Sequence, residues 1–135
     1  NKFVNLNSKK KFKNKIFIDR SESSSPYNQI YNISEVKNFL ISKKFDVLQF
    51  SSLNFEDQVS AFRNADTIVG AHGAAFANAA FCKSKIDLIE IKQKDHKVSL
   101  DNIYKANDLN YKIWLIEANR EGKIQNGFCG YAENF

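Results

Sequence analysis

Residues 66–81, Asp-Thr-Ile-Val-Gly-Ala-His-Gly-Ala-Ala-Phe-Ala-Asn-Ala-Ala-Phe, decide how this chain folds. A short apolar run, Ile68 and Val69, ends in Gly70, and His72, Gly73 and a string of small residues follow. That order predicts a strand, a tight turn and the first turn of a helix. At such a junction the free backbone N–H groups and the helix dipole face an incoming anion. Gly70 and Gly73 let the backbone bend and come close to a ligand. The small residues from Ala74 onward leave room for a bulky one. The stretch points to a phosphate-bearing ligand with His72 placed to touch it.

Working outward, the same strand-then-helix pattern repeats. Ile16, Phe17 and Ile18 form a short apolar strand ending at Asp19-Arg20, before a serine-rich loop over 21–26. Asn32 with Glu35 reads as a capping box, and Ile33, Val36, Phe39 and Leu40 recur at helical spacing. A second strand is predicted over Phe45–Phe50. Asn54 with Asp57 opens another helix carrying Phe55, Val59 and Phe62. Strands follow at Thr67–Gly70, Ile86–Ile91 and Tyr111–Ile116. Helices are expected at Ala74–Phe81 and, capped by Ser99, around Leu100, Ile103 and Ala106. Residues 118–135 give weak signals, expected to be turns with a short helix. The alternation predicts an α/β fold, a Rossmann-like parallel sheet with helices on both faces. Ligands in such sheets bind beyond the carboxyl ends of the strands.

The chain has 135 residues, enough for one domain with a real core: residues 1–14 as a linker or lead-in and 15–135 as the folded unit. No apolar run reaches the length of about 20 residues needed to span a bilayer. The lysine- and asparagine-rich start carries no signal-peptide pattern. With no methionine in it, the sequence reads as a piece of a longer or processed protein. Cys82 and Cys129 have no metal-ligand spacing and fit a reducing compartment, so the expected location is cytoplasmic, the inner face of the membrane included. The net charge of +5 owes much to Lys9, Lys10, Lys11, Lys13 and Lys15. These read as a solvated stretch, since no aromatic residues interleave to stack on bases and no nucleic-acid module is present. No nucleic-acid partner is expected.

Four positions can carry chemistry. His72 can donate to a phosphate oxygen, act as acid or base near neutral pH, or simply tie down its loop. Arg20 can clamp a phosphate, or pair with Asp19 or Glu22. Glu90, at a strand end, can accept ribose hydroxyls, or partner Lys92 or a helix cap. Asn78 can bond a ligand or a neighbouring loop. Ser21, Ser23, Ser24 and Ser25 are more simply loop residues. There is no P-loop, no Gly-x-Gly-x-x-Gly after the first strand and no nucleophile elbow. His72 and His96 lack supporting cysteines, so no metal site is expected.

Asn54 to Ile91 resembles the carboxyl-terminal part of family 61 glycosyltransferases. The matching residues are Phe55-Glu56-Asp57-Gln58-Val59, Phe62, Asn64-Ala65-Asp66, Val69 through Ala74, Asn78, Phe81 and Ile89-Glu90. Weaker similarity reaches back to Asp19-Arg20 and Asn32. The resemblance implies the nucleotide-sugar half of a GT-B-type enzyme of the capsular-polysaccharide kind. It also implies inverting, metal-independent transfer from a nucleoside-diphosphate sugar to a saccharide or glycan acceptor, with no cofactor and with a missing N-terminal domain as partner. On that view His72 is the catalytic residue. Arg20, Gly70, His72, Gly73, Ala74, Asn78 and Glu90 bind the donor, Glu90 through its ribose. The other reading is a non-catalytic nucleotide- or anion-binding module. The chain departs from the family in having Asn28 and Gln29 where an arginine pair is usual, and Ala75 and Ala77 for a glycine and a threonine.

Overall fold

Ile16-Phe17-Ile18 and Ile68-Val69 offer no polar residue for an outer face, so strands built from them must be covered on both sides. The computed structural model describes residues 8–23, 29–30, 32–94, 96–116 and 123–124, and in it these strands lie side by side within a sheet. In chain order the strands are β1 (Lys15–Ile18), β2 (Gln29–Ile30), β3 (Asp46–Leu48), β4 (Thr67–Ala71), β5 (Asp87–Gln93), β6 (Asn110–Ile116) and β7 (Lys123–Ile124). Five of them form one sheet in the order β3-β1-β4-β5-β6, and every pairing is parallel. β2 and β7 make a small separate parallel pair. This is a Rossmann-like α/β fold.

Alternation along the strands sends neighbouring residues to opposite faces. Ile16, Ile18, Ile68 and Leu88 pack on one side with Phe62, Phe76 and Tyr104. Those three come from helix α2 (Phe55–Asn64), the 3₁₀ segment Ala74–Phe81 and helix α3 (Asp101–Ala106), counting α1 as Ile33–Ser42. Phe17, Val69, Ala71 and Ile91 pack on the other side with Val36 and Leu40 of α1.

Local chemistry sets the boundaries. The Asn54 side chain accepts from the Asp57 N–H at 2.8 Å and so caps α2 as expected. Asn32 does not cap α1 that way: its ψ of 42° is not extended, and its amide instead donates to the Glu35 carboxylate at 3.2 Å. Both α1 and α3 end in the same motif. Phe45 N–H reaches the Leu40 carbonyl and Leu109 N–H the Tyr104 carbonyl, each at 3.0 Å, with Lys44 (φ 70°) and Asp108 (φ 53°) in the left-handed position between. The buried residue that follows, Phe45 or Leu109, leads into the next strand.

The second strand is shorter than the predicted Phe45–Phe50. It stops at Leu48, and Phe50 begins a 3₁₀ turn, Phe50–Ser52. The cause is packing: Phe50 turns inward to meet Phe62 edge-on at 5.4 Å, and Gln58 donates to the carbonyls of Phe50 and Leu53, both at 3.0 Å. The helix expected over Ala74–Phe81 is a 3₁₀ segment. Residues 8–14 of the lead-in lie against the fold. Phe12 packs on the core, Ser8 and Lys10 bond Asp57, and the Asn14 carbonyl accepts from Asp66 and Thr67. Of 118–135 only Lys123–Ile124 lies within the described residues.

The connectivity fixes where a site can form. From β1 the chain passes through α1 to β3 on one side, then through α2 to β4 on the other. Strand order therefore reverses between β1 and β4, which opens a crevice beyond their carboxyl ends.

Candidate functional site

β1 ends at Ile18 and β4 at Ala71, so Asp19-Arg20 and His72-Gly73 emerge together at that crevice. Asp19 is buried and organises the first loop. Its carboxylate accepts from the Ser21 N–H and from Gln49, both at 2.8 Å, and pairs with Lys37 of α1. Since Asp19 is engaged there, Arg20 crosses to the other strand and donates to the His72 carbonyl. Partial burial lowers the pKa of the guanidinium, which still stays charged at neutral pH.

Gly70, in β4, and Gly73, in the turn after it, answer different demands. A Cβ on Gly70 would stand 2.9 Å from Ile18 Cβ, 3.0 Å from the Ile18 carbonyl oxygen and 3.1 Å from Phe76. A Cβ on Gly73 would stand 2.9 Å from Cζ and Nε of Arg20. Gly70 thus lets β4 lie against β1 and Phe76, and Gly73 makes room for the guanidinium.

His72 is buried, and its N–H donates to the Ile91 carbonyl at 2.7 Å. Its Nδ1 is bonded to Glu90, whose other oxygen accepts from the Tyr104 hydroxyl at 2.8 Å. Glu90 is 1 % exposed, so its carboxylate stands behind His72 and joins it to Tyr104. Burial, and then the nearby Glu90 charge, push the Tyr104 pKa far up, so the phenol keeps its proton and donates it. A carboxylate on Nδ1 fixes the orientation of an imidazole and leaves Nε2 as the nitrogen for a ligand. The ring of His96 lies 4.5 Å from that of His72.

Ala74 starts the 3₁₀ segment, where the first amides have no partner within the segment. Asn78 faces inward: its amide donates to the Ala75 carbonyl at 3.1 Å and to Gln58 at 3.3 Å, tying this segment to α2. The site residues expected from sequence therefore separate into two groups. Arg20 and Ala74 stand at the crevice with Gly73 against the guanidinium, while Gly70, His72, Asn78 and Glu90 are buried beneath it. Asp19, Tyr104 and His96 belong to the same assembly and carried no sequence signal for it, except that Asp19 sits beside Arg20 at a strand end. Ser24 and Ser25 lie outside the described residues.

A cleft of about 520 Å³ opens here, lined by Asp19, Arg20, Glu22, Ser51, Ala74 and Ala75 among others. A second, of about 600 Å³, lies at the amino ends of the strands between Lys15, Lys43, Lys112 and Trp114. Only the first adjoins Arg20 and the start of the 3₁₀ segment, and it lies at the end of the sheet where α/β folds bind ligands.

The family model described as glycosyltransferase 61 matches residues 2–89, about two thirds of the chain, taking in Arg20 and the His72 turn and stopping one residue before Glu90. No curated protein matches. Among the described residues no helix is long and apolar enough to cross a membrane.

Proposed function

This chain belongs to glycosyltransferase family 61, and on that footing we propose that it is the donor-binding half of a GT-B-type enzyme. The crevice between β1 and β4 holds the diphosphate of a nucleoside-diphosphate sugar. The observation that carries this reading is the meeting of Arg20 with the His72-Gly73-Ala74 turn at the point where strand order reverses. An anion there gains a guanidinium, an imidazole and backbone amides without needing a metal.

In the transfer the bond between the sugar's anomeric carbon and the diphosphate oxygen breaks. A bond from an acceptor hydroxyl to that carbon forms on the opposite face, inverting the configuration. Negative charge grows on the departing diphosphate, and donors fixed in advance stabilise it without reorganising. Arg20 supplies charge, and Ala74 and its neighbour supply amides. His72 supplies Nε2, held in place by Glu90 and, through it, Tyr104. We assign Glu90 to positioning His72 in place of the ribose contact, because both its oxygens are already engaged inside the protein. The donor is a substrate, and no cofactor takes part. The base that deprotonates the acceptor, a saccharide or glycan of a surface polysaccharide, belongs to a partner domain.

The test is calorimetric titration with UDP, GDP, CDP and ADP, followed by Arg20→Ala and His72→Ala against the best ligand. Selective binding of one base, lost in both variants while each stays folded, is the expected result. Binding untouched by either substitution would refute the placement. Binding with no sugar transfer after the partner domain is restored would leave a nucleotide-binding module.

A further inference from the structure

His96 takes no part in the proposed transfer, yet it stands over His72. The two rings are 4.5 Å apart and tilted by 55°. The His96 N–H donates to the Gln93 carbonyl at 3.1 Å, which ties it to the last residue of β5. Among the described residues, the charged groups acting on it come from three strand ends: Arg20 after β1, His72 after β4, and Lys92 and Glu90 of β5. Burial, then His72, Lys92 and Arg20, disfavour its charged form, and Glu90 alone favours it. Glu90 is already shared by His72 and Tyr104. The cluster thus gathers several cationic or protonatable groups around one carboxylate turned inward. An arriving anion would offset the cationic surroundings that disfavour charge on His96.

We propose that His96 is a second diphosphate-binding residue, which takes up a proton as the anion enters and donates it as a charge-assisted hydrogen bond. This rests on the crevice being the diphosphate site. The ligand chemistry is that of a pyrophosphate group, whether free or within a nucleoside diphosphate. The sign follows from linkage. A group held neutral in the free protein and protonated in the complex makes binding tighter as pH falls, and proton uptake accompanies the titration.

The experiment is calorimetry of the whole chain with inorganic pyrophosphate and with the best nucleoside diphosphate. Each titration is run in two buffers of different ionisation enthalpy, so that the protons taken up can be counted. His96→Gln and His96→Asn are titrated alongside, and comparison with the wild type removes the ligand's own protonation. The expected result is that both variants melt like the wild type, take up fewer protons and bind about tenfold more weakly near pH 6.5. The difference should narrow above about pH 8. Wild-type binding with unchanged affinity and unchanged proton uptake in both variants would overturn the role of His96 alone. Failure of the wild type to bind pyrophosphate or any nucleoside diphosphate would overturn the crevice as the diphosphate site, and this inference with it.

Discussion

Gly70, near the end of β4, and Gly73, in the turn after it, stand three residues apart, and replacing each by alanine should give opposite phenotypes. At Gly70 the new methyl meets Ile18 Cβ at 2.9 Å and the Ile18 carbonyl oxygen at 3.0 Å. Ordinary carbon contacts are about 3.5–4.0 Å, so the overlap is about half an ångström or more against a neighbouring strand. β1 is hydrogen-bonded on both sides and cannot retreat. Overpacking of this kind costs about 1–3 kcal/mol, and the reduced freedom of the unfolded chain returns about 0.4–1 kcal/mol. Mid-range values of the two leave Gly70→Ala about 1–2 kcal/mol less stable, a fall in melting temperature of about 3–10 °C. At Gly73 the atoms in the way are Cζ and Nε of Arg20, the end of a flexible side chain. That side chain can swing out, regaining water as it leaves the His72 carbonyl, so stability should change by less than about 1 kcal/mol. The diphosphate, however, loses a charged donor, which at about 1.5–3 kcal/mol weakens binding by roughly ten- to a hundredfold. Thermal melts and nucleoside-diphosphate titrations of both variants separate the two effects. A folded Gly73→Ala that binds like the wild type, or a Gly70→Ala that melts like it, would refute the reasoning.

Three further outcomes follow from the same geometry. Tyr104→Phe removes the hydroxyl that donates to a buried carboxylate, so chemical denaturation should show a loss of about 1.5–3 kcal/mol; an unchanged midpoint would mean that Glu90 does not need this bond. Lys44 holds a left-handed φ of 70° at the end of α1, and Lys44→Gly should raise stability by about 0.5–1 kcal/mol in the same assay. Burial pushes the Cys82 thiol up from 9.0 to about 12. In a Cys129→Ser background it should react with iodoacetamide near pH 8 about a thousandfold more slowly than a free thiol. Because this pKa is raised in the folded state, the associated stability is complete below about pH 9 and is lost as pH rises towards 12.

The sheet was legible because each strand is a short apolar run with nothing polar to expose. Ile16–Ile18 and Ile68–Val69 leave no other choice, and Asn54 caps its helix through a bond within one turn. Where the reading went astray, a distant contact decided the outcome. Phe50 looks like the end of a strand until Phe62 and Gln58 draw it inward. Asn32 has the spacing of a cap but not the backbone angle. At the site, Arg20 and His72 could be singled out because each follows a strand, and strand ends are where ligands bind. Glu90 follows the same rule, but its surroundings were not legible. Tyr104 lies fourteen residues further along the chain and His96 beyond the turn after β5, and only the packing of α3 and that turn brings them to Glu90 and His72.

The proposed diphosphate site lies at the carboxyl ends of β1 and β4, and mapping the bound ligand on the chain tests that placement. Backbone amide shifts should be followed by NMR as the best nucleoside diphosphate is added to isotopically labelled protein. The largest changes should fall on residues 19–23 and 72–76, around the cleft that holds Arg20 and Ala74. Changes centred instead on Lys15, Lys43, Lys112 and Trp114, at the amino ends of the strands, would contradict it.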